Sequence, residues 1–180
     1  MAKKKATTSK YSTLHELLIL KLQTLHDVEK ELIKALPKMA KAATDPALKS
    51  AFSEHLEETK THEARIDQAL EHAGDTGKHK QKSEAIRGLI KDAQWCIKNV
   101  KEPRARDAIL IAAAQYVEHY EMAGYGAART WAEDMGHAEI SDLLQLTLTE
   151  EGNANKKLTS LAEGGINENV ASGMEEQIAL

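Results

Sequence analysis

Apolar residues recur along most of the chain at spacings of three and four, the period of a helix lying on a core. The first such stripe is Leu14, Leu18, Leu22, Leu25, Glu29, Leu32, Leu36 and Met39, and it predicts a helix from Ser12 to Ala43. Ser12 or Thr13 can cap it, with Glu16 completing a capping box. Pro37 predicts a kink or a local irregularity in its last turns. Thr44 and Asp45 form a turn, and Pro46 opens a second helix that runs to Ala73 and ends at Gly74-Asp75-Thr76-Gly77. Its stripe is Leu48, Phe52, His55, Glu58, His62, Ile66, Ala69 and Ala73. Residues 78–104 form a long connection with one helix inside it, from about Ser83 to Asn99. The third long helix covers about Arg104 to Asp134, on the stripe Leu110, Ala114, Val117, Glu121, Tyr125, Ala128. After a short turn at Gly136 the fourth runs from Ala138 to Ala162, on Ile140, Leu144, Thr147, Glu151, Ala154, Leu158, Leu161. Residues 1–11 read as a disordered basic tail, 12–163 as a helical bundle and 164–180 as a weakly ordered C-terminal tail. The fold class is all-α: an antiparallel four-helix bundle with a long crossover carrying an additional helix.

Each long helix places a glutamate where the pattern asks for an apolar residue: Glu29, Glu58, Glu121 and Glu151. Glu29 lies 15 residues before Thr44 and Glu58 lies 14 after it; Glu121 lies 15 before Gly136 and Glu151 lies 15 after it. Residues equidistant from the turn of an antiparallel hairpin share a height, here about 22 Å from the turn. Two hairpins with matching heights resemble an internal duplication and would assemble four carboxylates in one layer. One such glutamate alone is ordinarily a boundary residue whose carboxylate reaches water; four at one height are not.

Composition narrows the chemistry. Few aromatics and no period-two alternation leave strands without support. The net charge of −4 argues against a large basic nucleic-acid surface, although the N-terminal MAKKKATTSK could act as a lysine arm. One cysteine, Cys96, cannot form an internal disulfide, and no apolar run reaches a membrane span, so the expected setting is cytoplasmic.

A buried carboxylate is disfavoured unless its charge is neutralised or coordinated. No lysine or arginine falls on the four stripes, so two divalent cations are the expected partners, as in di-iron and di-manganese bundles. Carboxylate and imidazole donors suit iron, manganese or zinc rather than a thiolate metal. His62, one turn beyond Glu58, reads as a ligand or as a donor behind one. His55 reads as a supporting or satisfied core histidine, and His26 and His119 as boundary residues. Tyr116, Tyr120 and Tyr125 read as packing residues, and Gly124 and Gly126 would permit a bulge near the site.

The segments LHDVEKELIKALPKMA, HLEETKTHEARID, YVEHYEMAGYGAART and LTLTEEGNANKKLTSLAE together resemble the ferritin-like stress proteins of the YciE/YciF type. The resemblance covers residues 12 to 163, including the helix in the crossover. It implies a ferritin-like bundle, usually dimeric, with a dinuclear metal site and a loosely defined stress role. By position Glu29, Glu58, Glu118, Glu121 and Glu151 match the ferritin-like carboxylates, with His62 in the neighbourhood of the first histidine. The chain departs from the Glu-x-x-His pattern twice. Thr61 stands three residues after Glu58, with His62 at the fourth, and Ala154 and Asn155 stand where the second histidine would follow Glu151. Glu118 or Asn155 would then fill the gap.

Three functions follow. The first is redox chemistry of dioxygen or peroxide on a dinuclear iron or manganese centre. The second is iron handling by ferroxidation and storage, for which no cage-forming surface is evident. The third is a non-catalytic stress or interaction protein with a degenerate site, which the missing second histidine favours. The residues leave open whether the protein is an enzyme. The crossover helix, apolar over a wide arc around Trp95, adds an expectation of a homodimer.

Overall fold

A computed structural model describes residues 11–77 and 81–178. The expected basic tail therefore lies, except for Tyr11, outside the described residues. The elements are α1 (Leu14–Ala42), α2 (Pro46–His72), α3 (Glu84–Asn99), α4 (Pro103–Asp134), α5 (Ala138–Leu161) and, after a π-helical turn over Ala162–Ile166, α6 (Asn167–Ile178). Among the described residues there is no strand, and no helix is long and apolar enough to cross a membrane.

Local signals set these boundaries. Thr13 caps α1, accepting from the Glu16 N–H while the Glu16 carboxylate accepts from the Thr13 N–H, the reciprocal box expected there. Asp45 caps α2 through the N–H groups of Ala47 and Leu48, with Pro46 at the first helical position. Both hairpins contain a helix that closes the same way. Gly74 and Gly136 adopt φ of 80° and 76°, and the following N–H groups of Asp75 and His137 reach back to the carbonyls of Leu70 and Ala132. Helix α1 continues through Pro37, which is exposed. Helix α4 likewise runs unbroken through Gly124 and Gly126; the π turn lies instead at the end of α5.

Helices α1 and α2 form one hairpin and α4 and α5 the other, with α1 against α4 and α2 against α5. The crossover returns along the outside. Asp27 accepts from the Ser83 N–H at 2.8 Å and from both Arg87 terminal nitrogens, which seats α3 over α1 and α4. At the start of α4, buried Asp107 accepts from the N–H groups of Thr44 and Asp45 and from the Thr44 hydroxyl. That contact ties the second hairpin to the turn of the first.

The expected tail after residue 164 is instead a helix. Gly165, at φ 131°, redirects the chain, Ile166 drops into the core, and α6 packs on α4. A glycine is required there, because other residues rarely adopt that backbone.

The core is two apolar clusters rather than one. Val28, Leu32, Leu48, Phe52, Leu110 and Leu158 lie toward the Thr44 turn. Leu18, Leu22, Ile66, Leu70, Ile140 and Leu144 lie toward the Gly136 turn. Asp107→Ala, which removes a buried acceptor of three hydrogen bonds, should lower stability by about 3 kcal/mol in urea unfolding. An unchanged midpoint would show that the turn does not depend on it.

Candidate metal centre

Between the two apolar clusters lies a layer of ionisable side chains. Glu29 of α1, His62 of α2, Glu121 of α4 and Glu151 of α5 are each 0% exposed, and His55 and Glu118 are nearly so. Their donor atoms form two groups, each within 4.8 Å: His55, Glu118, Glu121 and Glu151, and Glu29, His62 and Glu151. Glu151 belongs to both.

Three of the four stripe glutamates arrive as expected, and the height argument holds for α1, α4 and α5. Glu58 does not join them: its side chain is half exposed, and its carboxylate lies 3.2 Å from His55 Nδ1, on the outer side of that ring. The reason is angular. The buried line on α2 is Leu48, Phe52, His55, Thr59, His62, Ile66, Ala69, Ala73, alternating steps of four and three. Reaching Glu58 needs a second successive step of three after Phe52–His55, which swings it about 60° beyond His55 and off that line. Thr59 takes the inner position, its hydroxyl bonded to the His55 carbonyl.

The histidine judged missing comes from α2. His55 Nε2 lies 3.4 Å from Glu118 and 3.6 Å from Glu151. Asn155 is elsewhere, its oxygen accepting from Gln115. Glu118 enters the layer beside Glu121, as the resemblance implied, but as a carboxylate in its own right. His26 faces Asp67 at 3.1 Å, His119 and Tyr116 are exposed, and Tyr120 bonds Ser83. Tyr125 is more than packing: fully buried, it donates its hydroxyl proton to Glu29 Oε1.

Both inner histidines are backed by a carboxylate. His62 Nε2 meets Glu150 Oε2 at 2.9 Å, and Glu150 is held in a two-point pair by Arg65. His55 Nδ1 meets Glu58. With those nitrogens as donors, the lone pairs of His62 Nδ1 and His55 Nε2 face the layer, the arrangement that orients metal-binding imidazoles. Glu150 was not singled out in the sequence although it directly precedes Glu151; its place between His62 and Arg65 is visible only in three dimensions.

Inside the layer the hydrogen-bond account does not close. Glu29 Oε2, His62 Nδ1, Glu118 Oε2 and both oxygens of Glu121 and Glu151 are buried without a hydrogen-bond partner. Among the described residues every such orphaned side-chain atom lies here. His62 Nδ1 is 3.0 Å from Glu151 Oε1, close enough for attraction but off the direction of a hydrogen bond. Burial, then the charge of Glu151, raises the Glu29 pKa from 4.5 to about 8. Burial and the neighbouring carboxylates also hold Glu118 and Glu121 well above the usual range. Burial works against a proton on His62, but its contacts with Glu151 and the charge of Glu29 outweigh it and raise the pKa to about 9. Glu58 and Glu150 are lowered, mainly by hydrogen bonds from His55 and Arg65 respectively.

The family model described as Domain of unknown function (DUF892) matches residues 13–171. Protein YciF of Escherichia coli (strain K12) is 41% identical over 155 residues, covering 86% of this chain and 93% of YciF. The chain belongs to the YciF family. Its fold superposes on the crystal structure of the E. coli stress protein YciF with a TM-score of 0.83 at 41% identity, covering 87% of this chain and 99% of the other. YcfI of Rhodopseudomonas palustris gives 0.81 at 37% identity, covering 85% and 97%. Together they place this YciF-family chain in a helical bundle over nearly all of the described core.

The metal-free protein has a calculable pH signature. Glu29 and His62 both bind protons more tightly folded than unfolded. Their stabilising contributions are full below the unfolded values of 4.5 and 6.5 and are lost as pH rises through about 8 and about 9. Stability without metal should therefore fall from about pH 5 to about pH 9. Added Mn²⁺ should reverse the slope, because metal selects the deprotonated donors of the folded state. Urea melts with Mn²⁺ and with chelator that coincide across this range would remove the layer as a metal site.

Proposed function

We propose that this protein is a stress-response metalloprotein whose bundle holds two divalent cations, iron or manganese, and turns them on dioxygen or peroxide. The observation that carries the reading is the set of orphaned carboxylate and imidazole atoms at mid-bundle. Hard and borderline donors of this kind fit iron, manganese or zinc, and of these only the first two bring redox chemistry. His55, Glu118, Glu121 and Glu151 would hold one ion, and Glu29, His62 and Glu151 the other. Bound there, such ions would supply the electrons that reduce the oxidant.

The chain's own groups provide the setting. Glu151 reaches both groups and is the natural bridge. Glu58 and Glu150 keep the imidazoles turned inward. Burial, reinforced by the Glu29 charge, raises the Tyr125 pKa well above 10, so its hydroxyl keeps its proton and goes on donating to Glu29. The flanking apolar clusters exclude bulk water, which strengthens every electrostatic contact between them. Homodimerisation extends the proposal: Trp95 on α3 is 62% exposed and Tyr116 on α4 is 67% exposed, large aromatic surfaces left open to solvent in the single chain.

Elemental analysis of protein loaded with Mn²⁺ or Fe²⁺ should give two ions per chain. Glu121→Ala and His55→Ala should each lose at least one, whereas Glu58→Ala should keep the stoichiometry and weaken affinity by about 10- to 100-fold. Full occupancy in the Glu121 variant would overturn the site. A metal-free wild type would favour the reading of a non-catalytic stress or interaction protein with a degenerate site. For the dimer, sedimentation at micromolar concentration should give twice the chain mass, reduced to a monomer in Trp95→Glu; a monomeric wild type would end that expectation.

A further inference from the structure

A cavity of ≈ 100 Å³ opens between α2 and α5 and ends at His55. Its inner walls are Ala51 and Phe52 on one side and Ala154 and Leu158 on the other, and Glu54, Glu58, Asn153 and Lys157 stand around it. Lys157 is paired with Glu54 across the two helices at 2.5 Å. Of the layer's donors His55 alone lines it; Glu29, His62, Glu118, Glu121 and Glu151 do not. Only the ion held by the His55 group would meet the cavity.

We propose that this cavity is the pocket through which a small neutral oxidant, a molecule of a few atoms such as dioxygen or hydrogen peroxide, reaches the metal layer, and that Ala154 keeps it open. The inference rests on the two-ion reading above. Size decides the ligand class: one water needs about 10–15 Å³ measured this way, so several water-sized molecules fit. Pockets for drug-sized organic ligands run to roughly 300–1,000 Å³, so a bulky substrate is excluded. Charge decides against an anion, because the one lysine around the cavity is already matched by Glu54, and Glu58 adds negative charge. The position of Ala154 explains why the space exists. It stands three residues after Glu151, where the Glu-x-x-His pattern of di-metal bundles carries an imidazole. With the imidazole supplied by α2, the methyl group of Ala154 leaves volume beside His55.

The test uses Fe²⁺-loaded protein mixed anaerobically with nitric oxide, a neutral diatomic whose binding to iron is read by absorbance and EPR. Wild type should bind two Fe²⁺ and form the nitrosyl rapidly. Ala154→Leu should keep the iron stoichiometry and slow nitrosyl formation at least tenfold. Ala51→Leu, filling the same space from the opposite wall, should do the same and covers the case in which the first variant fails to fold. Unchanged nitrosyl rates in folded, iron-loaded variants would overturn the pocket and leave the two-ion reading standing. A wild type that takes up no Fe²⁺ would overturn the two-ion reading itself, and the pocket with it.

Discussion

The bundle is organised around an electrostatic conflict: four carboxyl groups placed where water does not reach and where no lysine or arginine answers them. Arg65, the nearest arginine paired at this height, is engaged by Glu150 on the outer side of His62. Leucines at the same positions would join the two apolar clusters into one uninterrupted core. Replacing buried charge with well-packed apolar groups is often neutral or stabilising. On that ground the acids weaken the metal-free fold, and what they would gain under the two-ion reading is an affinity that exists only in the folded state. Protons are the provisional answer, as the raised values of Glu29 and its neighbours show. Divalent cations answer the charge better, because each can satisfy several oxygens at once.

Much of the surrounding structure serves to keep that layer level. The two hairpins turn at Thr44 and at Gly136, and Glu29, Glu121 and Glu151 each lie 15 residues from their own turn, so these donors arrive at one height. Where α1 crosses α4, Gly124 faces Leu25, and a Cβ there would lie 2.9 Å from the leucine Cδ2. The missing side chain lets the helices approach at the level of Glu29, Glu121 and Tyr125. Helix α3, anchored by the Asp27–Arg87 pair and the Ser83–Tyr120 contact, covers the same seam from outside. Rigidity here is a condition of binding: donors displaced by an ångström no longer share an ion.

The long helices, their caps and the three glutamates of α1, α4 and α5 were legible because a period of 3.6 leaves little freedom in a stripe of seven or eight residues. The α2 assignment failed for a local reason. His55, Glu58 and His62 satisfy spacings of three and four, yet so do His55, Thr59 and His62, and only the second set keeps the alternation of the whole helix. A polar threonine at a buried position hid the right choice, since the eye follows the carboxylate. The orienting roles of Glu58 and Glu150 were not legible at all, because they depend on which nitrogen of a ring points outward. Helix α6 escaped because its one strong anchor, Ile166, follows a Gly-Gly pair that reads as an ending.

The donor inventory carries the last step. Di-metal bundles of the ferritin-like kind assemble four carboxylates and two imidazoles, with the imidazoles on two different helices. This chain assembles the same count, yet both imidazoles come from α2, seven residues apart, and two of the carboxylates come from α4. A metal responds to the atoms around it and not to the helix that brings them, so donors can migrate between adjacent helices while the layer survives. Such a migration still leaves a trace. Helix α5 carries Ala154 where the Glu-x-x-His pattern has a histidine, and a cavity lined by Ala154 and His55 lies on that side. The two halves of the layer thereby become unequal: the His55 group borders an opening, and the Glu29–His62 group is sealed beneath Tyr125 and the apolar cluster around it. A pair of ions held this way would divide the work, one meeting what enters and the other fixed behind it as a partner in charge.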